Sequence, residues 1–324
     1  MTMNMRFFDA DNSVLKSLEL IHKFKPYNDS TLEMIAESYL WFASLDSLND
    51  PFEGELTYSH DPNLTIEKIF CAEHIFCIDE ANIDYEHENL KYEYAEYKEN
   101  PDAFIDRKRE DHKRRYEEIM LSQSKNDGFF CALSEPKKNS AADELDKCPD
   151  QARRDEIRRN HEDISLWSHY GDGLRGVRIT YDPLRLKHIS HSSAALVKYQ
   201  DSPEPIDATM EVRKRKAYYK DRWNFSQSLM LFNTKATLWS NEREVRIRIG
   251  KQGKVDIPPD SIKYITFGSK MPAYRRILMI AAARQNNPDA KFYEARISSK
   301  ELKIEYVEYE VPPLISLRAR PSFS

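Results

Sequence analysis

Two glutamates, Glu242 and Glu244, stand two residues apart in the stretch Thr234 to Gly250, TKATLWSNEREVRIRIG. If that stretch is a strand, a spacing of two sends both carboxylates off one face, with Arg246 next in line. Paired carboxylates so placed suit acid/base work or the stabilisation of an oxocarbenium-like centre. The same spacing also describes a solvated face carrying a ladder of ion pairs, and spacing alone leaves both readings open. Val245, Ile247 and Ile249 take the alternate positions and are assigned to a core, with Trp239 upstream as an apolar anchor.

Three further groups carry candidate chemistry. His169, set between Trp167 and Tyr170, is expected to be partly buried, where it can orient a ligand, act as a general base, or serve as a core histidine bonded to a backbone carbonyl. Directly after it, three of the eight glycines fall within residues 171–176, which asks for positive φ or close backbone approach and would let N–H groups cradle a phosphate. No Lys-Ser or Lys-Thr follows and the loop opens no helix, so it is neither a P-loop nor a dinucleotide fingerprint. Asn49-Asp50-Pro51 is strong turn chemistry, because Pro51 fixes its own dihedral and pushes Asp50 out of the helical region. That turn presents Asn49 and Asp50 to a ligand or is purely structural. His188 and His191 lack a completing ligand set, so no metal is expected. Ser134 and Ser168 lack a nucleophile elbow, and nucleophilic hydrolysis is not supported.

These groups need elements to hold them. Ser13 to Ile21 reads as a helix, and Ser30 with Glu33 as the capping box of a second. Strands are expected at 39–43, 129–134, 177–181, 195–199, 234–250, 262–268, 292–297 and 304–309. Helices are expected at 211–232 and at 273–285, the latter with Ile277, Leu278 and Ala281 inward. Residues 61–124 change character: tyrosines sit among dense alternating charge without a glycine, and Pro101 is the single break across the charged run 84–120. This predicts two long amphipathic helices, a charged hairpin inserted into one α+β domain formed by residues 1–60 and 125–310. The sheet is expected to be mixed or antiparallel with flanking helices, followed by a weakly ordered tail at 311–324.

Composition narrows the class. A chain of 324 residues can bury a substantial core. Its net charge of -5 gives no global basic field for nucleic acid, and the basic run Arg107 to Arg115 is matched by nearby acids. No apolar run is long enough to span a membrane and the first residues lack the apolar centre of a secretory signal, so the cytoplasm is the expected compartment. Cys71, Cys77, Cys131 and Cys148 show no zinc spacing, and no disulfide is expected.

Several boxes, in order, resemble the bacterial domain of unknown function 2971 family. They are Phe42-Ala43-Ser44 with Leu48-Asn49-Asp50-Pro51-Phe52, Cys131-Ala132-Leu133-Ser134, Leu166-Trp167-Ser168-His169-Tyr170, Gly176-Val177, and Lys235 with Trp239 before Glu242-Arg243-Glu244-Val245-Arg246-Ile247. That family carries no assigned activity. A looser similarity links the late Glu-x-Glu pair, the mid-chain aromatic-Ser strand and an early basic residue to the layout of ADP-ribosyltransferases. That likeness implies NAD as substrate, Glu244 on the ribose, Glu242 on the acceptor, Arg6 on a phosphate, and Asn49, Asp50, Trp167, His169 and Tyr170 around the dinucleotide. The expected function is ADP-ribosyl transfer to a protein or nucleic-acid acceptor, or NAD cleavage, in a toxin or phage-defence setting. Two alternatives stand beside it: a non-catalytic sensor of nucleotides or nucleic-acid ends using the same cleft, and an accessory module that binds a protein partner, or a second copy, through 61–124.

Overall fold

The computed structural model describes residues 13–44, 47–48, 50, 57–59, 61–127, 129–134, 164–190, 192–202, 205–218, 233–300 and 304–312. Arg6, Asn49 and the tail beyond 312 lie outside them. Among the described residues the helices are α1 Ser13–Ser17, α2 Asp29–Glu37, α3 Ile66–Glu73, α4 Lys91–Glu99, α5 Pro101–Asp127, α6 Ile164–His169, α7 Pro183–Leu186, α8 Ala208–Tyr218 and α9 Ala273–Asn286. The first seven strands are β1 Ile21–Lys25, β2 Tyr39–Ser44, β3 Tyr58–Ser59, β4 Phe129–Ser134, β5 Val177–Tyr181, β6 Ser193–Leu196 and β7 Lys198–Tyr199. The rest are β8 Ile206–Asp207, β9 Thr234–Lys235, β10 Glu244–Ile249, β11 Gly253–Asp256, β12 Ile262–Gly268, β13 Lys291–Ile297 and β14 Ile304–Glu308.

The fold is α+β. Ten strands form one mixed sheet in the order β11-β2-β4-β1-β5-β12-β13-β14, with β10 joined to β4 and β6 joined to β10. All its ladders are antiparallel except β12 with β13. The branch at β4 shapes the molecule. On one side β4 pairs with β10 along its whole length, from Glu244 opposite Ser134 to Ile249 opposite Phe129. On the other side it pairs with β2 only at Phe129 and Phe130, and with β1 only at Ser134. Strands β1 and β2 therefore part company beside the middle of β4, and the sheet splits there.

One face of the sheet carries the larger core. Val177, Ile179, Tyr181, Val245, Ile247 and Ile265 are buried there with Met34 and Ile35 of α2 and Met279, Ile280 and Ala283 of α9. The other face packs Phe24, Leu166, Trp167, Ala295 and Tyr306 in a second cluster. Strand β10 thus has a core on one face, as its alternation requires. Its charged face is not solvated: Glu244, Arg246 and Arg248 are also buried.

Several local expectations shift for identifiable reasons. The first helix ends at Ser17, and residues 21–25 form β1, because Pro26 holds Lys25 in the extended region. Asn28, not Ser30, caps α2: its side chain accepts from the Thr31 N–H at 2.8 Å. The strand expected over 234–250 is two strands, β9 at Thr234–Lys235 and β10 from Glu244. Residues Thr237–Glu242 form a 3-10 helix, and Arg243 turns the chain in the left-handed region at φ 44°. In α9 the inward residues are Arg276, Met279, Ile280, Ala282 and Ala283, while Ile277 and Leu278 are exposed. The helix is rotated by about one residue from the sequence reading, because Arg276 is drawn inward by the carbonyl oxygens of Met271, Gly268 and Ser269 and by Glu294 at 2.7 Å.

Residues 61–124 hold α3, α4 and most of α5, rather than two long helices. Asp79, Asp84 and Asn100 turn their side chains onto nearby backbone N–H groups and break the first arm. The segment has its own apolar cluster around Ile69, Phe70, Leu90 and Phe104, and α8 packs on both α3 and α5. At its centre His112, fully buried, bonds Thr209 Oγ1 at 2.9 Å and Glu73 Oε1 at 3.0 Å. Lys108 bonds Glu73 at 2.6 Å and also Glu93. Glu73, His74 and Glu93 are the one group among the described residues whose atoms could converge on a metal, and the Lys108 ammonium already supplies positive charge there. Burial alone would push the Glu73 carboxyl up. The hydrogen bonds from His112 and Lys108, with the Lys108 charge, outweigh it and bring its pKa to about 2. A carboxylate depressed this way stabilises the folded state above its unfolded pKa of about 4.5, and the contribution is lost as pH falls toward 2. We expect the helical segment to lose about 3 kcal/mol across that window. Hydrogen exchange at pH 3, with rates corrected for intrinsic pH dependence, should show α3 and α5 opening before the sheet, and Glu73→Gln should abolish the difference.

Candidate functional site

The split between β1 and β2 opens a cleft of about 320 Å³. Its walls come from five elements: His22 to Lys25 of β1, Trp41 and Ala43 of β2, Ala132 to Ser134 of β4, Glu244 and Arg246 of β10, and Leu166 of α6 followed by Tyr170. Ser47, Leu48, Lys235 and Glu242 complete it. Lys23 Nζ donates to the Ala132 carbonyl at 2.7 Å, in the part of β4 that no described strand pairs with on that side. A cation thus satisfies a backbone group that the split leaves open.

Glu242 and Glu244 meet here, although only Glu244 belongs to the strand. The left-handed turn at Arg243 swings Glu242 back, so that Lys235 Nζ lies 2.6 Å from Glu242 Oε2 and 3.3 Å from Glu244 Oε2. Tyr170 Oη donates to Glu242 Oε1 at 2.5 Å. Arg246 Nε donates to Glu244 Oε1 at 2.6 Å, and the Glu244 backbone N–H donates to Tyr199 Oη at 2.7 Å. The Trp239 ring lies 4.8 Å from the Lys235 ammonium. Burial pushes the Glu244 carboxyl up, but the charge and hydrogen bond of Arg246, then those of Lys235, hold it below the usual range. Glu244 is therefore a fixed, ionised carboxylate. With Lys235 between the two side chains, they do not form a proton-sharing dyad.

Lys235 holds this pair together. Lys235→Met should leave two carboxylates facing each other without the shared cation and cost about 3 kcal/mol at pH 7. Removing that ammonium should also weaken the depression of the Glu244 carboxyl. The stability that Glu244 contributes above its unfolded pKa of about 4.5 should then be smaller than in wild type, and less of it should be lost as pH falls below that value, in thermal melts at each pH.

Across the floor, Glu244 of β10 is paired with Ser134 of β4, and Ser134 with His22 of β1. Paired residues project to the same face, so a glutamate, a serine and a histidine stand side by side on three adjacent strands, all lining the cleft. His22 Nδ1 is 3.0 Å from Thr180 Oγ1 on β5, which fixes the ring.

The other expected site residues fall elsewhere. Trp167 is buried in the second core, edge-on to Phe24 at 5.2 Å, and its indole N–H donates to Tyr306 Oη at 3.0 Å. It supports the cleft from behind and offers no stacking face. His169 is exposed rather than partly buried and does not line the cleft. It is the last residue of α6, with a polar face turned outward. Asp50 is buried and also does not line the cleft. The glycine loop serves packing: a Cβ on Gly176 would lie 2.2 Å from the Lys25 carbonyl oxygen, and one on Gly171 2.5 Å from Trp167 Cε3. The residues missed were His22, Lys23, Lys25, Trp41, Ser134 and Lys235 as a cleft set. Pro26, which forces Lys25 to be extended, was the available signal for the β1 members.

Residues 166–247 match the model of a family described as a protein of unknown function, DUF2971. The match holds Leu166, Tyr170, Lys235, Glu242, Glu244 and Arg246, while the β1, β2 and β4 walls of the cleft lie before it. No curated protein and no solved structure matches the chain. Among the described residues no helix is long and apolar enough to cross a membrane.

Proposed function

We propose that the cleft binds NAD and breaks its glycosidic bond to nicotinamide, transferring ADP-ribose to an acceptor or to water. The observation that carries this reading is the in-register row His22, Ser134 and Glu244 at the floor of a cleft walled by cations. We read this row as an early-basic, mid-chain-serine, late-glutamate layout, with His22 on β1 in the place expected for Arg6.

The chemistry follows from the carboxylates. The C1′–N bond breaks with both electrons leaving on nicotinamide, which departs neutral because the pyridinium carried the positive charge. C1′ becomes cationic and then bonds to an acceptor oxygen, whose proton passes to water. An ionised Glu244, partly shielded from water, stabilises that developing charge. Its closest partner is Arg246 on Oε1; among the described residues Oε2 has the longer contacts from Lys235 at 3.3 Å and Arg246 Nη2 at 3.4 Å. A ribose hydroxyl can therefore take Oε2 at small cost. Glu242, held by Tyr170 and Lys235, is placed to position the acceptor. Lys23, Lys25, Lys235 and Arg246 against two carboxylates leave the cleft with a positive excess, which suits a pyrophosphate.

A thermal-shift comparison of NAD and NADH tests this. Both should stabilise the protein, by about 2.7 kcal/mol at a hundred times the dissociation constant, and only NAD should be consumed. A second reading is favoured by the network itself: Glu244 already has Arg246 and Lys235 as counter-ions, so the same cleft could sense a nucleotide without cleaving it. In that case NAD stabilises, no nicotinamide appears, and Glu244→Gln binds as wild type does.

A further inference from the structure

One cation in the cleft has no work of its own. Lys23 is spent on the Ala132 carbonyl, Lys235 on Glu242 and Glu244, and Arg246 on Glu244. Lys25, at the end of β1, makes no hydrogen bond or ion pair among the described residues, yet it is half-buried and lines the cleft. Burial, and then the like charge of Lys23, make its ammonium easier to deprotonate than a free lysine. An ammonium kept in such a place without a counter-ion is relieved by an anion entering the cleft.

Facing the same space is Trp41 of β2, which is 50 % exposed while its neighbours Leu40 and Phe42 are fully buried. Its indole is the large aromatic surface that the cleft presents to solvent. An exposed indole beside a cationic wall is the pairing that stacks a nucleobase while its phosphate is held by charge. The two residues come from the two strands that diverge, so a ligand reaching both must bridge the split.

We infer that Lys25 and Trp41 form a nucleotide subsite of this cleft, Lys25 taking a diphosphate oxygen and Trp41 stacking the attached base. The inference rests on the nucleotide reading of the cleft and does not require cleavage. Glu244 lies on the β10 side and the subsite on the β1 and β2 side, so the reacting end and the anchoring end of a dinucleotide occupy opposite walls.

Calorimetry with ADP-ribose and with adenosine, on the full chain, tests it. Lys25→Ala should weaken ADP-ribose about tenfold or more and leave adenosine unchanged. Trp41→Ala should weaken both ligands about tenfold, and Trp41→Phe should restore most of the loss. Melting temperatures of the three variants should stay near wild type, since neither side chain is buried in a core. Equal ADP-ribose affinity in wild type, Lys25→Ala and Trp41→Ala, or no binding of ADP-ribose at millimolar concentration, overturns the inference. If NAD is cleaved but its KM is the same in all three proteins, the subsite fails and the catalytic reading stands. If ADP-ribose binds with the expected dependence and NAD is never cleaved, the subsite stands and the catalytic reading fails.

Discussion

Glu244→Gln should lower nicotinamide release by a factor of about 10² to 10³ while leaving NAD binding within a few-fold. Glutamine keeps the size and one acceptor oxygen but loses the negative charge, and the lost charge acts only as C1′ becomes cationic. The same substitution should not be neutral for stability. Glu244 is the carboxylate that Arg246 Nε reaches at 2.6 Å, and both groups are buried. Removing one member of such a pair leaves the other under-compensated, at a cost of about 3 kcal/mol. Turnover must therefore be compared at a temperature well below the variant's own midpoint. Arg246→Met in the Glu244→Gln background should recover part of the lost stability and none of the activity. A fall in turnover that merely tracked the fraction unfolded would remove Glu244 from the chemistry.

Gly176→Ala should cost about 3 kcal/mol or more, among the larger losses available to a single methyl group in this chain. The added Cβ would lie 2.2 Å from the Lys25 carbonyl oxygen, 2.9 Å from the Gly171 carbonyl oxygen and 3.0 Å from Pro26 Cα, all of them backbone atoms. No side-chain rotation can relieve contacts of that kind. The Gly176 N–H also donates to the Gly171 carbonyl at 2.9 Å, and its own carbonyl accepts from the Gly268 N–H at 3.0 Å, so the segment cannot move as a unit. Because Lys25 is the residue pushed, any protein that does fold should also lose ADP-ribose affinity. Gly253→Ala is the contrasting control: its φ of 103° strains an alanine, but nothing lies within 4 Å of the new methyl. It should cost about 1 to 2 kcal/mol in chemical denaturation and leave ligand binding untouched.

The fold class followed from the sequence wherever a pattern had one interpretation. Strand β12 begins and ends where its composition says, and β2, β4, β5, β13 and β14 were legible in the same way. Strand β1 was not, since Val14, Leu15, Leu18 and Ile21 carry helical spacing straight into it, and IHKFK alone favours neither period. That single error hid His22, Lys23 and Lys25. For the glutamate pair, the sequence put both carboxylates on one strand face; they do converge, but through a left-handed turn and a lysine seven residues upstream of Glu242, which no strand periodicity encodes. The split of the sheet depends on which strands flank β4, a long-range fact with no local signature. Trp167 and His169 were assigned to the ligand because aromatic and polar groups sat together, whereas α6 directs one into the core and the other to solvent.

The most direct test of the account is a time course of nicotinamide release from NAD by the wild-type chain, followed by chromatography, with water alone and with protein and nucleic-acid acceptors added. Release above the uncatalysed rate is expected under at least one of these conditions, matched mole for mole by free or transferred ADP-ribose and nearly abolished in Glu244→Gln. NAD that stays intact under every condition, in a protein that is folded and binds ADP-ribose, would contradict it and leave the cleft as a nucleotide sensor.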